Sequence, residues 1–120
     1  MTTRSVVLVV EDEALIRLSA VQIVEDAGYE ALEAANAEEA IRLLEARSDI
    51  VLVFTDVHMP GTMDGLKLAQ YIRDRWPPVR LMVASGVAIL AEGDLPAGAS
   101  FFRKPYVDRS IVDEMRRLLA

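Results

Sequence analysis

Five consecutive apolar residues, Ile50-Val51-Leu52-Val53-Phe54, lead straight into Thr55-Asp56. The run is too short to span a membrane, and it lacks the alternation of a strand with one wet face. It needs cover on both sides, which a parallel sheet between helices supplies. Ser5–Val10 and Val79–Ala84 repeat the pattern with the same enrichment in branched and apolar residues. Tyr29–Ala35 is a weaker strand, suited to an edge, and Ser100–Arg103 is a short fifth.

Between these runs the apolar period lengthens to that of a helix. Ile16, Ala20, Ile23, Val24 and Ala27 share one face, and Gly28 suits the C-terminal cap. Asn36-Ala37-Glu38-Glu39 reads as a capping box, with Asn36 as N-cap and Glu39 reaching back. Leu68, Ala69 and Ile72 face inward on a third helix that ends before Pro77-Pro78. Val87–Ala91 suits only a short fourth helix, because Gly93 and Pro96 follow. Ile111, Met115, Leu118 and Leu119 mark a fifth. Strands that alternate with helices require right-handed crossovers. The expected fold is α/β, a flavodoxin-like doubly wound parallel sheet of five strands in the order 2-1-3-4-5, forming one domain over residues 1–120.

Composition narrows the chemistry. With no cysteine, thiol catalysis, disulfides and zinc–thiolate sites are excluded, and a single histidine excludes a multi-histidine metal centre. A net charge of −6 disfavours nucleic acid as a partner. Arg73/Arg75 and Arg116/Arg117 read as solvated helix faces. No stretch resembles a signal peptide or membrane anchor, so the expected location is the cytoplasm.

Polar residues fall at the C-terminal ends of four strands: Glu11 and Asp12, then Asp56, Ser85 and Lys104. Each alone has a plain structural explanation: an acid near a helix N-terminus, a turn serine, a surface lysine. In the 2-1-3-4-5 order they converge on one crevice, where such folds bind ligands. Three carboxylates there repel one another, and a hard divalent cation such as Mg²⁺ removes that penalty. With an ammonium and a hydroxyl added, the site suits a phosphoryl group, and Asp56 can act as the nucleophile.

The motifs Val-Val-Glu-Asp-Glu, Val-Phe-Thr-Asp-Val-His-Met-Pro-Gly, Ala-Ser-Gly and Phe-Phe-Arg-Lys-Pro-Tyr resemble, in order and over the whole chain, the CheY-like receiver domain of two-component response regulators. The resemblance implies that Asp56 accepts a phosphoryl group from the phosphohistidine of a sensor histidine kinase or a histidine phosphotransfer protein. It implies Mg²⁺ on Asp12, Asp56 and the backbone carbonyl of His58, with Glu11 acting through water. Ser85 and Lys104 would hold the phosphoryl oxygens, and Lys104-Pro105 would be a cis peptide. Ser85 and Phe101 would form the switch that carries the signal to a downstream protein on the face of the fourth helix, fifth strand and fifth helix. Phe101 lacks the hydroxyl of a tyrosine, and ordinary core packing explains it equally well.

The chain departs from the family pattern in two places, which resemble a subgroup of stand-alone bacterial receivers. Gly61-Thr62-Met63-Asp64-Gly65 is one residue longer than the common loop, and the stretch from Ser85 to Lys104 is shorter. With the chain ending one helix after Lys104, the reading is a receiver alone. It would be no enzyme beyond self-phosphorylation and autodephosphorylation at Asp56. An aspartate-nucleophile phosphatase would need a second acid where His58 stands. A flavodoxin-like cofactor binder would be repelled by Glu11-Asp12-Glu13, and a phosphorylation-independent interaction module leaves the acid set without a purpose. His58 is either a rim residue or a base for hydrolysis; geometry favours the rim, since a base needs hydrogen-bond reach.

Overall fold

In the computed structural model, which describes residues 4–86 and 94–120, the apolar runs lie side by side as parallel strands. The strands are β1 (Val6–Val10), β2 (Glu30–Ala34), β3 (Ile50–Asp56), β4 (Arg80–Ser85) and β5 (Ser100–Arg103), in the order β2-β1-β3-β4-β5. The helices among the described residues are α1 (Ala14–Asp26), α2 (Ala37–Ala46), α3 (Gly65–Arg75) and α4 (Asp108–Leu118). The last is the fifth helix of the sequence reading. The short helix expected over Val87–Ala91 lies outside the described residues.

Alternation along the strands sorts the core into two layers. Leu8, Val53, Leu81 and Val83 pack with Ala40, Leu44, Leu68 and Ile72 of α2 and α3. Val7, Val9, Leu52, Phe54 and Met82 pack with Ala20, Val24, Ile111 and Met115 of α1 and α4. Because both faces are covered, β1 and β3 have no polar stripe, which is why their sequences are continuous apolar runs.

One irregularity decides where β3 aims its end. The register runs Val6 to Ile50 but Val7 to Leu52, so one residue of β3 is bulged out. Ile50 therefore faces α2 and α3, Leu52 faces α1 and α4, and Asp56 continues on the α1 side with Phe54.

The helix ends follow local chemistry. Asn36 accepts the Glu39 N–H at 2.9 Å, as a capping box requires, but Glu39 turns back one residue further than expected and accepts the Ala35 N–H at 2.8 Å. Asp64 caps α3 by accepting the Lys67 N–H at 2.9 Å. Gly28, at φ 97°, closes α1 in the left-handed conformation that suits glycine. Arg73 corrects the expectation of a solvated face. Its guanidinium turns inward and donates to the carbonyls of Pro77 at 2.7 Å and Val79 at 3.3 Å, tying off the loop that the two prolines open.

Candidate functional site

The register brings the strand ends together. Val10 lies opposite Ala34 on one side and Thr55 on the other, and Asp56 lies opposite Ala84. Glu11 therefore leaves β1 directly beside Asp56. Its N–H stays with the sheet, donating to Ala34 O at 3.0 Å, while its side chain is buried. Asp12, one residue on, is exposed. Oxygens of Glu11, Asp12 and Asp56 all lie within 4.8 Å of one another.

Lys104 closes the group from β5. Its Nζ is 2.9 Å from Glu11 Oε1 and 3.0 Å from Asp56 Oδ1, and its backbone N–H donates to Ser85 O at 2.9 Å. The Lys104–Pro105 peptide is cis, as the resemblance implies. Phe54, Ala84 and Tyr106 form the apolar wall behind the charges, with the Phe54 and Tyr106 rings 5.8 Å apart. Burial pulls the Lys104 ammonium down, but hydrogen bonds to Glu11 and Asp56 reverse this and hold it above the ordinary lysine value. Burial pushes the Glu11 carboxyl above its ordinary range; Lys104 opposes that shift while Asp12 and Asp56 add to it.

The charges count as three carboxylates against one ammonium, −3 + 1 = −2. One divalent cation balances that excess. Oxygen donors suit a hard ion, and Mg²⁺ keeps several of its waters and needs only one or two carboxylates from the protein. The residues present therefore fit Mg²⁺.

The peptide after Asp56 is held as firmly as its side chain. Thr55 Oγ1 donates to Asp56 O at 2.9 Å, Val57 N–H donates to Ala84 O at 3.0 Å, and Gly65 N–H donates to Val57 O at 2.8 Å. α3 begins so close to β3 that a Cβ on Gly65 would sit 1.8 Å from Asp56 O. Only glycine permits that approach.

The other candidates lie around this cluster. Ser85 is fully buried at the last position of β4, and in the strand's alternation it follows Leu81 and Val83. Phe101 is half-buried against that same layer, beside Val83 in the register. His58 is exposed two residues past Asp56. Sequence reasoning missed Gly65 as a contact residue, although glycine is the residue used wherever two backbones approach closely. It also missed Arg17, whose Nη1 donates to Glu11 O at 2.8 Å. An arginine on an amphipathic helix carries no signal of that kind.

Comparison with known proteins gives a consistent result. Residues 7–116 match the family described as response regulator receiver domain. The response regulator receiver protein CpdR of Brucella abortus is 31% identical over 116 residues, covering 94% of this chain and 95% of that protein. The sensor kinase CckA of the same organism is 33% identical over 117 residues; the match covers 94% of this chain but only 12% of that much longer protein. The crystal structure of the receiver domain from the hybrid histidine kinase CckA superposes with a TM-score of 0.81 at 32% identity, covering 96% of this chain and 99% of that one.

Proposed function

This chain belongs to the response regulator receiver domains of two-component systems, and from that premise we propose that Asp56 is its phosphoacceptor and that Mg²⁺ assists the transfer. The observation that carries the reading is the pairing of Lys104 with both Glu11 and Asp56 beside a third carboxylate. An Asp56 oxygen attacks the phosphorus of a phosphohistidine, an O–P bond forms, the N–P bond breaks, and the imidazole leaves with the electron pair. Lys104 holds Oδ1 of Asp56, leaving the second oxygen for attack, and its ammonium remains to face the charge on the transferred group. Asp12, Asp56 and the His58 carbonyl would hold Mg²⁺, with Glu11 acting through water, and the ion would supply positive charge for the phosphoryl oxygens and relieve the repulsion among the carboxylates.

The donor is a sensor histidine kinase or a histidine phosphotransfer protein, and the chain's own chemistry is confined to phosphorylation and dephosphorylation at Asp56. Ser85 and Phe101 carry the change outward, to a protein that docks on the face beside β5 and α4. No described helix is long and apolar enough to cross a membrane. Treatment with acetyl phosphate and Mg²⁺ followed by intact-mass measurement should add one phosphoryl group to the wild type and none to Asp56→Asn. An unmodified wild type overturns the reading.

A further inference from the structure

We infer that Arg17, braced by Glu33, is a positioning residue that sets the geometry of the Glu11–Asp12 pair for the divalent cation. This rests on the proposed Mg²⁺ role of that pair and extends it to two residues outside the acid cluster.

Arg17 sits one turn into α1, where its own N–H donates to Glu13 O at 2.9 Å. Its guanidinium then reaches back over the acid loop. Nη1 donates to Glu11 O at 2.8 Å, and Nε donates to Glu33 Oε1 at 3.0 Å. The side chain is only 20% exposed, against 44% for Glu33. The guanidinium thus spans from the end of β1 to the outer strand β2, and its rigid fork serves two acceptors at a fixed angle.

The contact matters because of which carbonyl it is. Glu11 O belongs to the peptide plane that joins Glu11 to Asp12. That plane is rigid, so fixing its oxygen fixes the direction in which the chain leaves Glu11 and enters Asp12. The Glu11 N–H is already held by Ala34 O at 3.0 Å. With Arg17 on the carbonyl, both backbone polar groups of Glu11 are secured, and the only freedom left to its carboxylate is in the side chain. Two like charges on adjacent residues would otherwise relax apart. The brace through Glu33 suits an arginine, whose Nε and Nη1 lie in one rigid plane, so that holding the first at Glu33 fixes where the second meets the Glu11 carbonyl. Groups behind a metal's ligands are known to set affinity through orientation, commonly by tenfold or more.

Calorimetric titration of the full chain with Mg²⁺ tests this, with thermal unfolding of each variant in metal-free buffer as the check on folding. Arg17→Ala should weaken Mg²⁺ binding about tenfold. Glu33→Ala, which keeps the arginine but removes its brace, should weaken it by less than that tenfold. The double variant should bind no more weakly than Arg17→Ala alone, because the two act through one contact. Wild-type affinity in a folded Arg17→Ala overturns the inference while leaving the metal site standing. Additive losses in the double variant overturn the brace through Glu33. Should Arg17→Ala not fold, Glu33→Ala decides by itself, and unchanged affinity there overturns the inference. A wild type that takes up no Mg²⁺ overturns the cation reading, and this inference with it.

Discussion

At the C-terminal edge of the sheet, Lys104 bridges two carboxylates whose side chains are 6% and 10% exposed. At the opposite edge, Arg47 bridges Glu30 and Asp49, whose side chains are about half in water, at 49% and 52%. The motif is the same, one cation between two acids. The second is a surface pair of the kind that adds little to stability and is screened by salt. The first has been taken out of water and carries an unbalanced third carboxylate. A buried arrangement of that kind is weak as a stabilising device, since desolvation offsets most of the attraction. Under the proposed function, the arrangement would supply a preformed place for a cation and a phosphoryl group.

The largest effect that separates the two ends is functional. Asp56→Asn should abolish phosphorylation by acetyl phosphate or a histidine kinase, while Asp49→Asn should leave the rate unchanged; mass measurement over a time course reads both. Next is Lys104→Met, which strands Glu11 and Asp56 without their cation. It should cost about 2–4 kcal/mol of stability to urea at neutral pH in metal-free buffer. A cost indistinguishable from zero would mean that the site is wetter than its burial implies.

The third test reverses the sign. Glu11→Gln removes a buried charge whose carboxyl is held above its ordinary range chiefly by burial. In metal-free buffer at pH 7 it should stabilise the fold while weakening Mg²⁺ binding, because a carboxyl raised above its ordinary range costs the folded state free energy when it ionises. The linkage runs accordingly. With a folded value raised above the unfolded 4.5, Glu11's favourable contribution is complete below pH 4.5 and is lost as pH rises through its folded value. Glu114 gives the opposite case. Hydrogen bonds from Arg117 and Ser100 hold its carboxyl at about 2. Its contribution is complete above about pH 4.5 and is lost as pH falls towards 2. Glu114→Gln should therefore flatten the wild type's loss of stability in that acid window, as read by urea midpoints at stepped pH. The smallest effect belongs to the far edge: Arg47→Gln should leave the midpoint close to that of the wild type, with any difference disappearing in high salt.

Much of this was legible in the chain. Short, β-branched apolar runs such as Val6–Val10 suit strands covered on both faces, and Pro77-Pro78 stops a helix from continuing. Once the strand order is fixed, the positions of Glu11, Asp56 and Lys104 at strand ends place them together. Three features resisted reading for the same reason. The residue bulged from β3 leaves the apolar run unchanged, yet it shifts which face each following side chain takes. Glu39 satisfies Ala35 and not Asn36, a choice set by the path of the chain entering α2. Arg73 and Arg17 look like solvated helix residues, because nothing local records the carbonyls waiting for them.

The sequence by itself therefore determined the layers, the strand order and the inventory of charges at one edge, because burial and periodicity are written residue by residue. Only the tertiary structure decided how those charges meet. It set Lys104 between Glu11 and Asp56, packed Gly65 against the Asp56 carbonyl, and brought Arg17 and Glu33 to the peptide between Glu11 and Asp12. Those contacts join residues of different elements, and their geometry follows from register and packing, which no single segment encodes.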